Sequence, residues 1–413
     1  MKKVLSFLFV FLLLGLFVMN YNSEMVNANE SVSIWLPGTD DYARRAFTEI
    51  VDNFKEDHPD VNVDFQQIPW SEYFTKLNVS FAGGTSPDIF GLGYGQLGPV
   101  SSAGRTLVLN DYLEGWDGWT DIPQNMLDAG STNGELHGIL MPEIRFLLYR
   151  KDWFAEAGLD KTPVTTDELK EYARILTQKD GSRVKVAGLE IPSTNGFQFL
   201  LTYLLMDGSA EQLWTDDLDP VLDRPEVIES VREIESYYRE DLTMFSDGLD
   251  IKGTLFENGL AAMSVTTPNN VLVPLLESMG PEKVGMAVPP GELMLSMGTF
   301  LAVSSETEHK EEAIELFKAL NSKEGQLVIA ENIGFVPTRK SAAEEYVALN
   351  PEYNQMAADG VKNARVVGTI NPYFFDFLEA VHPSLEKIYY DREGVEEALD
   401  KAVKQYREAV SEN

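Results

Sequence analysis

A chain of 413 residues with 44% hydrophobic content is long enough to bury more than one core, and its length points to roughly two or three domains. It has no cysteine, which excludes a disulfide framework, a thiolate metal site, a cysteine nucleophile and a lipidated N-terminus. The 66 Asp and Glu against 33 Lys and Arg give a net charge of −33, a surface that repels nucleic acid and anionic lipid but selects no ligand by itself.

Lys2 and Lys3 precede an apolar run of 16 residues, Val4 to Met19, and Val26-Asn27-Ala28 follows a polar stretch. This is the layout of a secretory signal peptide over 1–28, cleaved after Ala28. The run falls short of the roughly 20 apolar residues that span a bilayer comfortably. Losing it removes two Lys and one Glu and leaves a mature charge near −34. The expected location is exported, periplasmic or extracellular and associated with the cell surface. The protein is not a lipoprotein, because it has no Cys.

Val32, Ile34 and Leu36 alternate as a strand, and Phe47, Ile50, Val51 and Phe54 recur as one helix face. Val61, Val63 and Phe65 alternate again, Trp70 to Phe81 reads as helix, and Ile89-Phe90 opens a strand after Gly83-Gly84-Thr85-Ser86-Pro87. Strand and helix in alternation predict an α/β fold with a mainly parallel sheet. Ile144 to Tyr149 reads as one apolar strand, and Asp167 to Leu176 as a helix capped by Thr165 or Thr166. Further along, Val186 to Leu189, Ala261 to Val265 and Phe300 to Val303 read as strands. Phe197 to Met206, Val227 to Tyr238, Glu311 to Leu320 and Gly394 to Val410 read as helices. No repeat and no Pro/Gly/Ser linker appears, so the lobes are expected to join by short crossovers.

Catalytic signatures are absent from the sequence. The four His (His58, His137, His309, His382) show no metal-ligand spacing, and no phosphate loop or nucleophile elbow is present. Gly91-Leu92-Gly93-Tyr94-Gly95 misses the dinucleotide spacing. Carboxylates are abundant, and a glycosidase pair is defined by a distance that sequence does not carry. A secreted glycoside hydrolase is therefore the alternative from a different class.

Five segments, in order, resemble the extracellular solute-binding proteins of family 1, the group containing maltose-binding protein. They are Ile34 to Gly38, Ala82 to Ile89, Asn133 to Pro142 running on through Leu148 to Leu159, Phe256 to Met263, and Lys310 to Gln326 followed by Gly334 to Arg339. The resemblance implies a two-lobed periplasmic-binding-protein type II fold with a ligand cleft between the lobes. The first lobe would hold 30–142 plus 289–342 and the second 143–288 plus 343–413. It also implies an importer subunit rather than an enzyme, without cofactor or metal. The implied partners are a sugar or oligosaccharide ligand and a membrane permease of an ABC importer. The chain would be a monomer that binds no nucleic acid.

Sugar recognition uses aromatic rings against the apolar face of a pyranose and planar polar groups for its hydroxyls. Such sites lie beyond the carboxyl ends of strands. After the first strand come Thr39, Asp40 and Asp41, hydroxyl acceptors or helix caps. Tyr94 and Gln96 follow Ile89-Phe90 in a loop with little packing to do. Trp70 reads as a core anchor or a stacker, and Glu143 and Arg145 as ligand contacts or a mutual pair. Asn195, Phe197 and Gln198 open an apolar helix whose N-terminus can meet ligand oxygens. Asn269 and Asn270 stand where the family often has an aromatic stacker. Thr299 follows Met297-Gly298, where the family has small residues. Tyr373 and Phe374 are the late aromatic candidates, with core packing as the other reading. Asp88 reads as structural, tying down turn amides.

Overall fold

The computed structural model describes residues 31–412 apart from 194–195, 216, 269–270, 292 and 367–370; the expected signal segment lies outside this range, as do Asn195, Asn269 and Asn270. The chain starts as β1 (Ser31–Pro37), α1 (Asp41–Asp57), β2 (Asn62–Ile68), α2 (Trp70–Ala82) and β3 (Ile89–Gly93). In α1, Ala43, Ala46, Phe47, Ile50, Val51 and Phe54 recur at three and four and are buried. Asp40 starts the helix by accepting a 2.6 Å bond from the Ala43 amide. Burying a side chain of the size of Phe47 or Ile50 contributes about 1.5–3 kcal/mol.

β4 (Ile139–Ile144) belongs to the first sheet and β5 (Leu147–Arg150) to the second. The single strand expected over 144–149 is thus two. Both strands are mostly buried and apolar and read as one run, and the one sign of the break between them is the charged Arg145. At the break the Arg145 amide donates to the Leu295 carbonyl at 2.9 Å while the chain changes sheets. The second lobe continues with α3 (Thr166–Leu176), β6 (Gln178–Asp180), β7 (Arg183–Leu189), α4 (Phe197–Asp207), α5 (Pro225–Arg239), β8 (Ala261–Ser264) and β9 (Val284–Ala287). Thr165 caps α3 by accepting from the Glu168 amide at 3.1 Å.

β10 (Met294–Val303) returns to the first sheet and is followed by α6 (Lys310–Leu320), α7 (Lys323–Ile333), α8 (Lys340–Leu349), α9 (Pro351–Asn363) and β11 (Ala364–Val366). Finally α10 (Phe374–Tyr389) and α11 (Val395–Glu412) pack against α4 and α5 of the second lobe. Among the described residues the first sheet runs β11-β10-β3-β1-β2, with β4 also on β10, and the second runs β9-β5-β8-β7-β6. Residues 364–366 pair with β10, later in the chain than the boundary at 342 expected for the first lobe.

The first sheet is mixed, with three parallel and two antiparallel pairings among the described residues. β1 pairs parallel with β2 and β3, but β10 runs antiparallel to both β3 and β4. β10 enters from the other lobe and not through a helical crossover, so nothing forces it parallel. Asp88 lies just before β3, in the middle of this sheet: its Oδ2 accepts from the Ser33 amide at 2.8 Å and the Ser33 hydroxyl at 2.7 Å, and its Oδ1 accepts from Thr307. It ties strands together, where the sequence reading had it tie turn amides.

Candidate ligand-binding cleft

Between the lobes lies a cleft of about 530 Å³. Its floor is a register row of the first sheet: Gly93 on β3 pairs with Thr299 on β10, which pairs with Met141 on β4. One step along, Met297 pairs with Glu143.

Glu143 and Arg145 share a strand face because side chains alternate, while Ile144 and Phe146 point the other way and are fully buried. Arg145 Nη2 meets Glu143 Oε1 at 2.7 Å and donates to Met297 Sδ at 3.4 Å. Arg145 is only 5% exposed, and its Nε and Nη1 have no hydrogen-bond partner among the described residues. A buried donor left unpaired costs about 1–3 kcal/mol, so these two nitrogens favour any acceptor that enters.

Tyr94 follows β3 and spans the gap. Its ring stacks on Phe197 of the second lobe (centroids 6.1 Å apart) and meets Phe374 edge-on at 5.7 Å. Gly95 makes this approach possible: a Cβ there would lie 2.1 Å from the Phe374 ring. Burial pushes the Tyr94 phenol well above its ordinary value, against the pull of the Arg145 charge, and Gln198 hydrogen-bonds the hydroxyl. Gln96 also lines the cleft, with its Oε1 accepting from the Gly93 amide at 2.9 Å to close the turn.

Asp40 stands at the cleft edge and caps α1 at the same time, so the capping reading holds and the residue is also placed beside the cleft. Trp70 is 53% exposed on the lip, not a core anchor. It precedes the buried face of α2, which starts at Tyr73. Phe197, Gln198 and Thr299 line the cleft.

Two expectations are corrected. Thr39 lies in a shallow hollow on the outer side with Arg44, Thr48 and Gln67. Tyr373 is the residue before α10; its amide donates to Asn371 Oδ1 at 2.8 Å and its side chain packs on the second core. The helix instead turns Phe374, Leu378 and His382 into the cleft, at i, i+4 and i+8, with Phe375 beside them. Sequence reasoning missed Phe375, Leu378 and His382, together with Phe335 and Ile333. The four-residue spacing after Asn371-Pro372 is the signal that points to the α10 face. His382 sits 5.6 Å from the Phe197 ring; its Nε2 is buried without a partner among the described residues, and burial lowers its pKa.

The site is an apolar, aromatic trough with a few polar groups at its centre, the general make-up of a small-molecule pocket. Among the described residues no cluster of His, Asp or Glu is arranged to hold a metal, and no helix is long and apolar enough to cross a membrane. Of the carboxylates at the cleft, Asp40 is engaged in capping and Glu143 in the pair with Arg145.

Residues 40–327 match the profile of the bacterial extracellular solute-binding proteins. A binding protein of Brucella abortus (strain 2308) is 24% identical over 356 residues, covering 83% of this chain and 84% of its own. An ABC substrate-binding protein of Listeria monocytogenes, solved in complex with cycloalternan, superposes with a TM-score of 0.80 at 20% identity, over 92% of this chain and 99% of that one. A solute-binding protein of an ABC transporter from Thermotoga lettingae, bound with alpha-D-tagatose, gives 0.79 at 20% identity, over 92% and 99%. These relatives are binding proteins, and the glycoside hydrolase reading finds no support among them. The profile match spans well over half of the sequence, and the chain belongs to the bacterial extracellular solute-binding proteins.

Proposed function

We propose that this protein is the extracytoplasmic binding subunit of an ABC importer, taking a sugar or oligosaccharide between its lobes and handing it to a membrane permease. The observation that carries this reading is the cleft itself. Tyr94, Phe197, Phe335, Phe374 and Phe375 offer apolar faces, and Arg145, Glu143 and Gln198 offer directional bonds. Rings and planar polar groups together suit a pyranose. The sugars bound in the Listeria and Thermotoga relatives support the same class. The leader over 1–28, a monomeric state and reversible binding without turnover complete the proposal. The lining residues Asp40, Trp70, Tyr94, Gln96, Glu143, Arg145, Phe197, Gln198 and Thr299 are its proposed contacts.

A thermal-shift screen against a carbohydrate library tests it. A ligand at 100 times its dissociation constant stabilises the folded state by about 2.7 kcal/mol. A library of sugars, polyols and sugar acids that leaves the melting point unmoved defeats the reading. New reducing ends on incubation with oligosaccharides revive the hydrolase.

A further inference from the structure

Resting on the sugar-binding reading above, we infer that the Glu143–Arg145 pair is a specificity device that admits uncharged ligands and rejects sugar acids. The argument begins with the balance of charge in the cleft. Its ionisable lining residues, among those described, are Asp40, Tyr94, Glu143, Arg145 and His382. Burial keeps the Tyr94 phenol protonated and the His382 ring neutral. One cation therefore faces two carboxylates.

That cation is already compensated. Glu143 Oε1 sits 2.7 Å from Arg145 Nη2, and both side chains are largely removed from water. The adjoining hollow of about 190 Å³ shares Asp40 and Ile333 with the cleft and adds Glu331 without adding a cation. An incoming carboxylate would thus meet a buried cation already matched by Glu143, with the exposed carboxylates of Asp40 and Glu331 at the rim. Bringing a second carboxylate beside the buried Glu143 adds like-charge repulsion and desolvation, which oppose binding. The field of a chain carrying −33 acts in the same direction during approach.

What the pair does offer is a matched edge. Arg145 presents two unpaired N–H nitrogens, Nε and Nη1. Glu143 presents carboxylate oxygen beside them. A hydroxyl both accepts and donates, so a neighbouring pair of hydroxyls can take a bond from Arg145 and give one to Glu143. A carboxylate can accept from Arg145 but has nothing to give Glu143.

The test is titration of the full-length protein with matched pairs: glucose and glucuronate, galactose and galacturonate, mannose and mannuronate, galactobiose and digalacturonate. The neutral member of the best-binding pair should bind at least about tenfold more tightly. Glu143→Gln leaves the shape and releases the Arg145 charge, and it should shrink that preference about tenfold or reverse it. Arg145→Gln, which leaves the carboxylates uncompensated, should widen it, and serves if the first variant fails to fold. An acid that binds wild-type protein as tightly as its neutral partner overturns the inference and leaves the importer reading standing. Binding by neither class removes the sugar reading and the inference with it. A preference unchanged in a folded variant takes the pair out of the specificity mechanism.

Discussion

Tyr94 stands at the point where the two lobes touch. Its ring belongs to the loop after β3, yet its nearest rings, Phe197 and Phe374, belong to α4 and α10. It is half-buried and packs against the rims of both cores rather than inside either, so removing it should cost less folding stability than a core ring and much ligand grip. Tyr94→Ala should weaken sugar binding by roughly 1–3 kcal/mol, the scale of a lost ring contact with its hydroxyl bond. The unliganded protein should lose less than the roughly 3–5 kcal/mol typical of emptying a buried aromatic site. Tyr94→Phe keeps the ring and drops only the bond to Gln198, about 1 kcal/mol. Calorimetric titration and thermal melting on both variants separate these. A melting collapse with unchanged affinity in the surviving fold would make Tyr94 a core residue. Asp40 and Tyr94 were singled out because they follow strand ends, where open sheets place ligands, and both line the cleft. Phe375, Leu378 and His382 were not, because an aromatic helix face looks the same in sequence whether it meets a core or a cleft.

At the scale of elements, the alternation of strand and helix was readable almost throughout, and the division of Ile144 to Tyr149 between two sheets was not. Buried strands read as apolar runs, so Ile144 to Tyr149 reads as one strand although the charge of Arg145 stands where the chain leaves one sheet for another. β10 was legible only from Phe300, because its first half carries Ser296 and Gly298 in place of an apolar alternation. Gly298 has a reason that only the paired backbone reveals. Its φ is +127°, and a Cβ would lie 2.1 Å from the Met141 carbonyl oxygen on β4. The missing side chain lets β10 and β4 pair at the cleft floor. Gly298→Ala adds both an unfavourable φ and a clash with backbone, and should destabilise by about 2–4 kcal/mol. Urea denaturation measures it. An unmoved midpoint would mean that the strands part there without cost.

The whole molecule carries its charge unevenly across pH, and one buried acid sets a limb of its stability. Glu190 follows β7 and is 4% exposed. The Leu255 amide donates to its Oε1 at 2.7 Å, and Oε2 has no partner among the described residues. Burial pushes its pKa up from 4.5 to about 7. Between those values the folded chain holds a proton that the unfolded chain has released. Stability from this group is therefore full below about pH 4.5 and is lost as pH rises towards 7, a swing of about 3 kcal/mol. Asp219 runs the other way: its bond from Arg407 holds it below 3.8, so its contribution is present above that value and fades on further acidification. Self-repulsion among the excess carboxylates also eases as pH falls towards the sequence pI near 4.4. The stability maximum is therefore expected near pH 5 and not at neutrality. Urea midpoints between pH 3 and 8 give the curve, and Glu190→Gln isolates the buried acid, because the amide cannot ionise. The variant should lose much of the decline between pH 4.5 and 7 that the wild type shows. Parallel slopes for the two proteins across that window would mean that Glu190 titrates as an ordinary carboxylate, and that surface repulsion alone shapes the curve.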